Sequence, residues 1–454
     1  MTIIDPARDL EDLRSLCGGA VALPSDDGYD AARQAFNLAV DQRPAAVVYP
    51  CNAQEVAAVV AFARTRGLRV APQATGHNAG PLGGLENTIL LKTSGMHRVE
   101  IDPERRIARA EAGVLWEDVV DAATPHGLYA LHGSSPDVGV VGYSLGGGMG
   151  WLARSHGFQT NTITAIELVT ADGSVVRTDR ENDPELFWAL RGGGGNFGIV
   201  TAIEFRLFPI TEVYAGIMLW DLTHAERVLT AWTEWAVDAP DEVTTAIRLM
   251  RIPPLPELPE FLRGREVIMI DGAVQGDDHE AILAPLRALE PELDTFATIA
   301  AAGLVRLHQD PEEPTPFAGD SGLMDEVTPD TIRTIVTLAG SGVESPLLMV
   351  ELRQAGGALA RVTPGHGALA KLDAPFVLFM GGIAFDADME AAVLDHASRL
   401  KAALKPWMAP GYYLNFAEHR VDTSESFGPF TYRRLQAVKA RVDPDNVIHA
   451  NHSL

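Results

Sequence analysis

The chain has 454 residues, 46% apolar and 21% charged, and its 36 Lys and Arg against 61 Asp and Glu give a formal charge of −25. That is an ordinary globular composition, with room for about two to four domains, and it excludes a largely disordered chain. The acidic excess excludes nucleic acid, whose phosphates need clustered Lys and Arg, and disfavours an anionic membrane surface. Two cysteines, Cys17 and Cys51, cannot build a disulfide framework and have no metal-ligand spacing, so a cytoplasmic protein without a metal is expected. The opening MTIIDPARDLEDLRSL has neither the basic start nor the apolar run of a signal peptide. No apolar run approaches the roughly 18 residues of a membrane span.

In chain order, apolar spacing at Tyr29, Ala32, Phe36, Leu38 and Val40 predicts a helix over 28–45, followed by a strand over 46–49. Asn52 with Glu55 three residues on is a capping-box spacing. It opens an amphipathic helix over 52–66 that Gly67 stops, before a strand over 68–71. Strands follow over 88–92, 98–101 and 107–111, then a helix over 116–126 closed by Gly127. A strand over 163–170, the turn Ala171-Asp172-Gly173-Ser174 and a strand over 175–178 read as a hairpin. A short helix over 184–190 precedes a strand over 199–207 that ends near Pro209.

From about 211 to 409 the glycine loops thin out. Helices are expected over 224–237, 278–288 and 389–404, and strands over 243–249, 266–274, 347–353 and 376–381. The proline-rich 252–260 reads as an exposed loop. The whole is an α+β chain.

Three glycine-bearing segments stand out: Gln73-Ala74-Thr75-Gly76-His77-Asn78, the run 133–150 with seven glycines, and 191–198. The last holds a literal G-x-G-x-x-G at Gly193, Gly195 and Gly198. Its order is helix, loop, strand, whereas a dinucleotide fingerprint needs strand, loop, helix. Tight turns account for one or two glycines per loop, not for seven in one run. Backbone N–H groups bared of side chains can cradle a diphosphate, and small residues admit a flat ring system. The loops therefore predict an extended nucleotide cofactor. His77, in a small-residue turn straight after a strand, is the histidine best placed to meet it.

These motifs resemble the berberine-bridge-enzyme-like flavoproteins of the vanillyl-alcohol-oxidase / p-cresol-methylhydroxylase superfamily, strongly over 35–210 and clearly over 410–454. Gly76-His77 matches the family turn whose histidine joins the flavin 8α carbon, and 133–150 matches its glycine-rich loop. Asp172-Gly173, 186–189 and 191–201 match further family motifs, as do Tyr413-Leu414-Asn415-Phe416, Arg434-Leu435, Lys439 and 443–446. The resemblance implies a PCMH-type FAD-binding domain over 1–210 and 410–454, with an inserted substrate-binding domain over 211–409 built on an antiparallel sheet flanked by helices.

It also implies an FAD-dependent oxidase that moves hydride from an alcohol, sugar or secondary metabolite to flavin N5, with O2 as acceptor. FAD contacts would come from Gln73, Ala74, Thr75, Gly76, His77, Asn78, Ser134, Ser135, Val138, Gly139, Gly142, Tyr143, Gly146, Gly148, Asn161, Ile199, Val200 and Asn415. Val138 falls where the family faces oxygen, and valine there goes with oxidases.

Three departures bear on the chemistry. Ser135 stands where the family has a second flavin-linking Cys, so a single covalent link through His77 is expected. Gln73 replaces an Arg, which removes a cation near the flavin. Phe416 replaces a Tyr and takes no proton. The base is then sought among Tyr413, Glu418 and His419, with Glu418 sharing a face with Phe416 if that stretch is a strand, though a solvated surface acid is the commoner reading. On 347–354, alternation puts Glu351 and Arg353 on one face, Leu352 and Gln354 on the other. Two readings stay open beside the oxidase: a dehydrogenase with a separate acceptor, and a flavin-binding protein without catalysis.

Overall fold

The computed structural model describes residues 10–454 apart from 19 and 257. The signal-peptide reading falls largely on 1–9, outside those residues. Among the described residues the strands form three sheets.

The first sheet sets Ala46–Val48 and Arg69–Gln73 parallel to Thr88–Lys92, with Val21–Ala22 antiparallel at the edge. The helix Ala53–Arg66 links its strands. Asn52 caps that helix by accepting from Glu55 N, while Glu55 accepts from Cys51 N, and Gly67 closes it at φ 67°. The chain's end returns to this sheet: Val70 N donates to Val447 O, and His449 N to Val70 O. Asp443 fixes the return by accepting from Val447 N and Ile448 N. The second sheet is antiparallel and holds Val99–Asp102, Ile107–Glu111, Ile199–Arg206, Ile163–Val169 and Val175–Asp179 in that spatial order.

The third sheet has nine strands, all drawn from 212–409. At its centre Met349–Gln354 pairs antiparallel with Val243–Arg251 and Phe376–Ile383. One face carries the helices Ala225–Asp238, His279–Arg287, Pro329–Ala339 and Ala387–Leu404 over a large apolar core. The other face meets the glycine-loop region. Trp151 and Leu152 pack on Ala215, Ala246 and Ala273, and Met149, Phe158 and Tyr413 pack on Leu323 and Val377. Alternation along each strand sends one row of side chains to the helices and the next to this seam.

The helix expected over 28–45 is a single turn, Tyr29–Ala32. Beyond it the chain is held by partners elsewhere. Phe36 N donates to Thr75 O, Asn37 Nδ2 donates to Phe317 O, and Leu38 N to Thr315 O. Tertiary contacts override the helical spacing here. Strands over Glu212–Asp221 and Phe317–Met324 form where none was expected.

Arg154 ties the two halves of the seam. Its buried guanidinium donates to Val243 O (2.8 Å) and Ala239 O (2.8 Å), and also to Ala355 O. Arg154→Met leaves these carbonyls unpaired and is expected to cost about 3 kcal/mol or more of stability. Urea unfolding of the two proteins measures it.

Candidate active site

Close backbone approach builds the site. A Cβ on Gly146 would lie 1.8 Å from Asn415 Oδ1, one on Gly147 would strike Leu369 and Tyr413, and one on Gly148 would strike the Tyr143 ring. Glycine lets the segment 413–416 sit directly on the loop. Asn415 Nδ2 then donates to Tyr143 O (3.0 Å) and to the Tyr413 hydroxyl (3.3 Å). A few residues on, Asn78 Nδ2 donates to Ala417 O (2.9 Å), which joins the His77 turn to the same segment.

His77 is held on three sides. Phe36 stacks on its ring (centroids 3.7 Å apart), Thr75 Oγ1 lies 2.7 Å from Nδ1, and Asp137 Oδ2 lies 3.4 Å from Nε2. Ser135 Oγ donates to Asp137 Oδ1 (2.6 Å), and Ser134 Oγ donates to Asp310 Oδ2 (3.0 Å). Gln73 itself pairs with a buried cation, Lys92. Its ammonium donates to Gln73 Oε1 (2.5 Å) and Gln34 O (2.6 Å), and burial pushes its pKa down to about 8.

The remaining expected cofactor residues divide. Ala74 abuts Gly139, and Val138 O accepts from Trp116 N (3.1 Å) as its side chain packs on the flanking core. Above Gly142 an added Cβ would meet nothing within 4 Å, and the same holds above Gly195. Asn161 Oδ1 accepts from Gly367 N (3.2 Å). Ile199 and Val200 are buried in the second sheet.

Open space over bared backbone, with the Ser144 hydroxyl buried and unpartnered close by, suits FAD. The residues that would hold it are the 73–78 turn, the 133–150 loop and Asn415.

The three proposed bases differ sharply. Tyr413 is buried, its phenol pKa well above ordinary because burial disfavours the phenolate. His419 is half-exposed, 3.9 Å from Asp320. The expected strand around Phe416 is instead a 3₁₀ turn, Leu414–Phe416. Glu418 is half-buried rather than solvated, and desolvation with no compensating cation pushes its carboxyl up to about 7.

Sequence reasoning missed a buried ionic cluster on the seam face of the central strands. Arg248 donates to Asp271 Oδ2 (2.8 Å), and His308 Nδ1 lies 2.5 Å from the same oxygen. His308 Nε2 is 3.3 Å from Glu351 Oε2, and Arg353 Nε donates to Glu351 Oε1 (2.6 Å). Burial and Arg248 push His308 down, yet the carboxylates of Asp271, Asp310 and Glu351 hold it up, near 9. Glu351 is held well below its ordinary value: burial pushes it up, and Arg353 with His308 outweighs that. The Arg353 guanidinium stands 5.2 Å from the Phe416 ring and 5.5 Å from that of Trp151. Alternation showed that Glu351 and Arg353 share a face. Nothing in the sequence paired them with His308, which lies some 40 residues upstream. Phe317, Phe379 and Phe416 continue the wall as an aromatic shelf, the first two stacked 5.9 Å apart.

Residues 44–179 match the FAD binding domain family, and 412–454 match the family described as berberine and berberine like. The chain is 28% identical over 459 residues to xylooligosaccharide oxidase of Thermothelomyces thermophilus, covering 91% of this chain and 88% of that protein. The structure of 6-hydroxy-D-nicotine oxidase from Arthrobacter nicotinovorans superposes with a TM-score of 0.85 at 26% identity, over 96% of this chain and 97% of that one. Glucooligosaccharide oxidase from Acremonium strictum, described with a 6-S-cysteinyl, 8α-N1-histidyl FAD, has the same fold (TM-score 0.81, 23% identity, 97% of each chain). No helix among the described residues is long and apolar enough to cross a membrane.

Gly146→Ala must displace Asn415 and is expected to weaken FAD binding by about tenfold or more (about 1.4 kcal/mol). The same change in an Asn415→Ala background costs clearly less, because the clashing group is gone. Flavin titration of the four proteins reads the coupling.

Proposed function

We propose that the chain is a berberine-bridge-enzyme-like FAD-linked oxidase that oxidises a small molecule bound between the glycine loops and the ionic cluster, with Glu418 as proton acceptor. The observation that carries the reading is the Arg353–Glu351–His308–Asp271 cluster set against Phe416, on the wall opposite the flavin loops. When bound, FAD would supply the hydride acceptor, with dioxygen as the final acceptor on this reading.

The chain's own residues do the rest. His77 would tether the cofactor as the sole covalent link, since Ser135 offers no thiolate where the family has its second linking Cys. The ionic cluster presents fixed donors and acceptors to the substrate's polar group, already desolvated before the substrate arrives. The aromatic shelf takes a flat apolar face, whether an aromatic ring or one side of a sugar. The xylooligosaccharide and hydroxynicotine oxidases stand for those two classes and make xylobiose and 6-hydroxynicotine the first compounds to try. A carboxyl near pH 7 is tuned for proton transfer, whereas Glu351, locked by Arg353 and His308, is a poor base and a good anchor.

We assign the FAD-binding unit to 1–210 and 410–454 and the substrate unit to 211–409. The two cysteines are free, one buried and one exposed, which supports a reducing, cytoplasmic setting. Val138 is assigned to the oxygen side of the cofactor.

With whichever compound bleaches the flavin, the rate of anaerobic flavin reduction is expected to rise with pH through about 7, as Glu418 ionises. Glu418→Gln removes that limb and slows reduction by roughly 10²–10⁴-fold. Glu351→Gln weakens substrate binding and leaves the limb in place. Stopped-flow reduction across pH 5–9 separates them; a limb that survives Glu418→Gln excludes Glu418. Separately, photoreduced protein mixed with air is expected to reoxidise fast, and Val138→Leu to slow it by roughly an order of magnitude (about 1.4 kcal/mol). Sluggish reoxidation of the unaltered protein indicates a dehydrogenase.

A further inference from the structure

We propose that Asp137 directs the attachment of FAD to His77, by fixing the Nε2–H tautomer of the ring and accepting that proton as Nδ1 bonds to the flavin 8α carbon. The proposal rests on the reading of His77 as the attachment residue.

The geometry of the turn carries it. Asp137 lies in the 133–150 loop, is not among the expected FAD contacts, and is no part of the ionic cluster. Its Oδ1 is engaged by the Ser135 hydroxyl at 2.6 Å, which aims the other oxygen. That oxygen, Oδ2, is buried, makes no hydrogen bond, and lies 3.4 Å from His77 Nε2. An unpartnered buried carboxylate oxygen is costly, and here it faces a ring nitrogen. Burial pushes the Asp137 carboxyl up, but His77 and Ser135 together hold it below its ordinary value, so it is ionised.

A neutral imidazole has one N–H and one lone pair, and the partner of one nitrogen decides the state of the other. A carboxylate beside Nε2 puts the proton there and the lone pair on Nδ1. The Thr75 hydroxyl, 2.7 Å from Nδ1, can donate to that lone pair until the flavin carbon displaces it. Phe36, stacked at 14° to the ring, restricts rotation that would exchange the two nitrogens. Ser135 occupies the place of the family's second linking residue, so the loop position that would have made another bond here serves to aim the carboxylate.

The step balances as follows. The Nδ1–C8α bond forms. One C–H of the 8α methyl and the Nε2–H break, the latter proton going to Asp137. Two electrons enter the isoalloxazine ring and leave it for dioxygen, which takes up both protons as hydrogen peroxide. Dioxygen is the acceptor of the oxidase reaction, so no further reagent is needed.

The test compares the unaltered protein with Asp137→Asn and Ser135→Ala. Each is measured for total FAD per chain in the native state, for the fraction that stays with the polypeptide after acid precipitation, and for the rate at which that fraction grows when FAD is added in air. The unaltered protein is expected to keep its flavin through precipitation, with the linkage at Nδ1 by NMR of the proteolytic flavin peptide. Asp137→Asn is expected to bind FAD normally yet attach it at least tenfold more slowly. Ser135→Ala, which keeps the carboxylate and frees its aim, falls between the two. Attachment at the unaltered rate in both variants, or a linkage through Nε2, overturns the proposal and leaves His77 as the attachment site. Complete release of flavin from the unaltered protein overturns the assignment of His77 and this proposal with it.

Discussion

The contact on which the rest of the structure depends is the approach of residues 413–416 to the backbone of Gly146, Gly147 and Gly148. No side chain fits between them, and Asn415 closes the joint by donating to Tyr143 O. This places Tyr413 in the apolar seam beside Phe158 and Leu323, and sets Phe416 under the Arg353 guanidinium. The C-terminal segment is thereby pinned three times: on the glycine loop, on the His77 turn through Asn78, and on the first sheet through Val70. The His77 turn and the third sheet are held in one frame although they are hundreds of residues apart in sequence.

Within that frame, electrostatics divides the carboxylates by role. Glu351 and Asp271 are buried among Arg248, Arg353 and His308, and Arg353 with His308 holds the Glu351 carboxyl well below its ordinary value. A buried ion cluster of this kind adds little to stability, since the desolvation of each charge offsets the attraction, and its use is geometric. It gives the seam fixed, mutually paired polar groups. Glu418 has desolvation without a cation, so its proton is held to about neutral pH. Asp137 has a hydroxyl on one oxygen and a histidine near the other. On the proposed reading these three environments make an anchor, a base and a tautomer switch of the same functional group.

Much of the scaffold was legible in the sequence, because local signals and the fold agree there. The Asn52 cap and Gly67 stop bound the helix Ala53–Arg66, and the strand Glu266–Val274 lies where its apolar run placed it. The span 28–45 failed for a physical reason: Phe36 is spent on His77 and Asn37 on strand Phe317–Met324, so the helical spacing had no helix to serve. That strand, FAGDSGLM, carries glycines and polar residues that local propensity reads as loop. The glycine loops and His77 were legible through motifs. The ionic cluster was not, since Arg248, Asp271, His308 and Glu351 sit on three strands and a loop whose juxtaposition exists only after the sheet pairs. The Gln73–Lys92 pair illustrates the same limit: it exists only once the strands Arg69–Gln73 and Thr88–Lys92 are paired.

The central claim is that these loops hold FAD and that His77 joins it to the chain. Its most direct test is the absorbance spectrum and intact mass of the purified, unaltered protein before and after acid precipitation. The account predicts a yellow protein with one flavin per chain, retained in the precipitate and seen as the added mass of one FAD on the polypeptide. A colourless protein that takes up no FAD when it is supplied would contradict the account at its root.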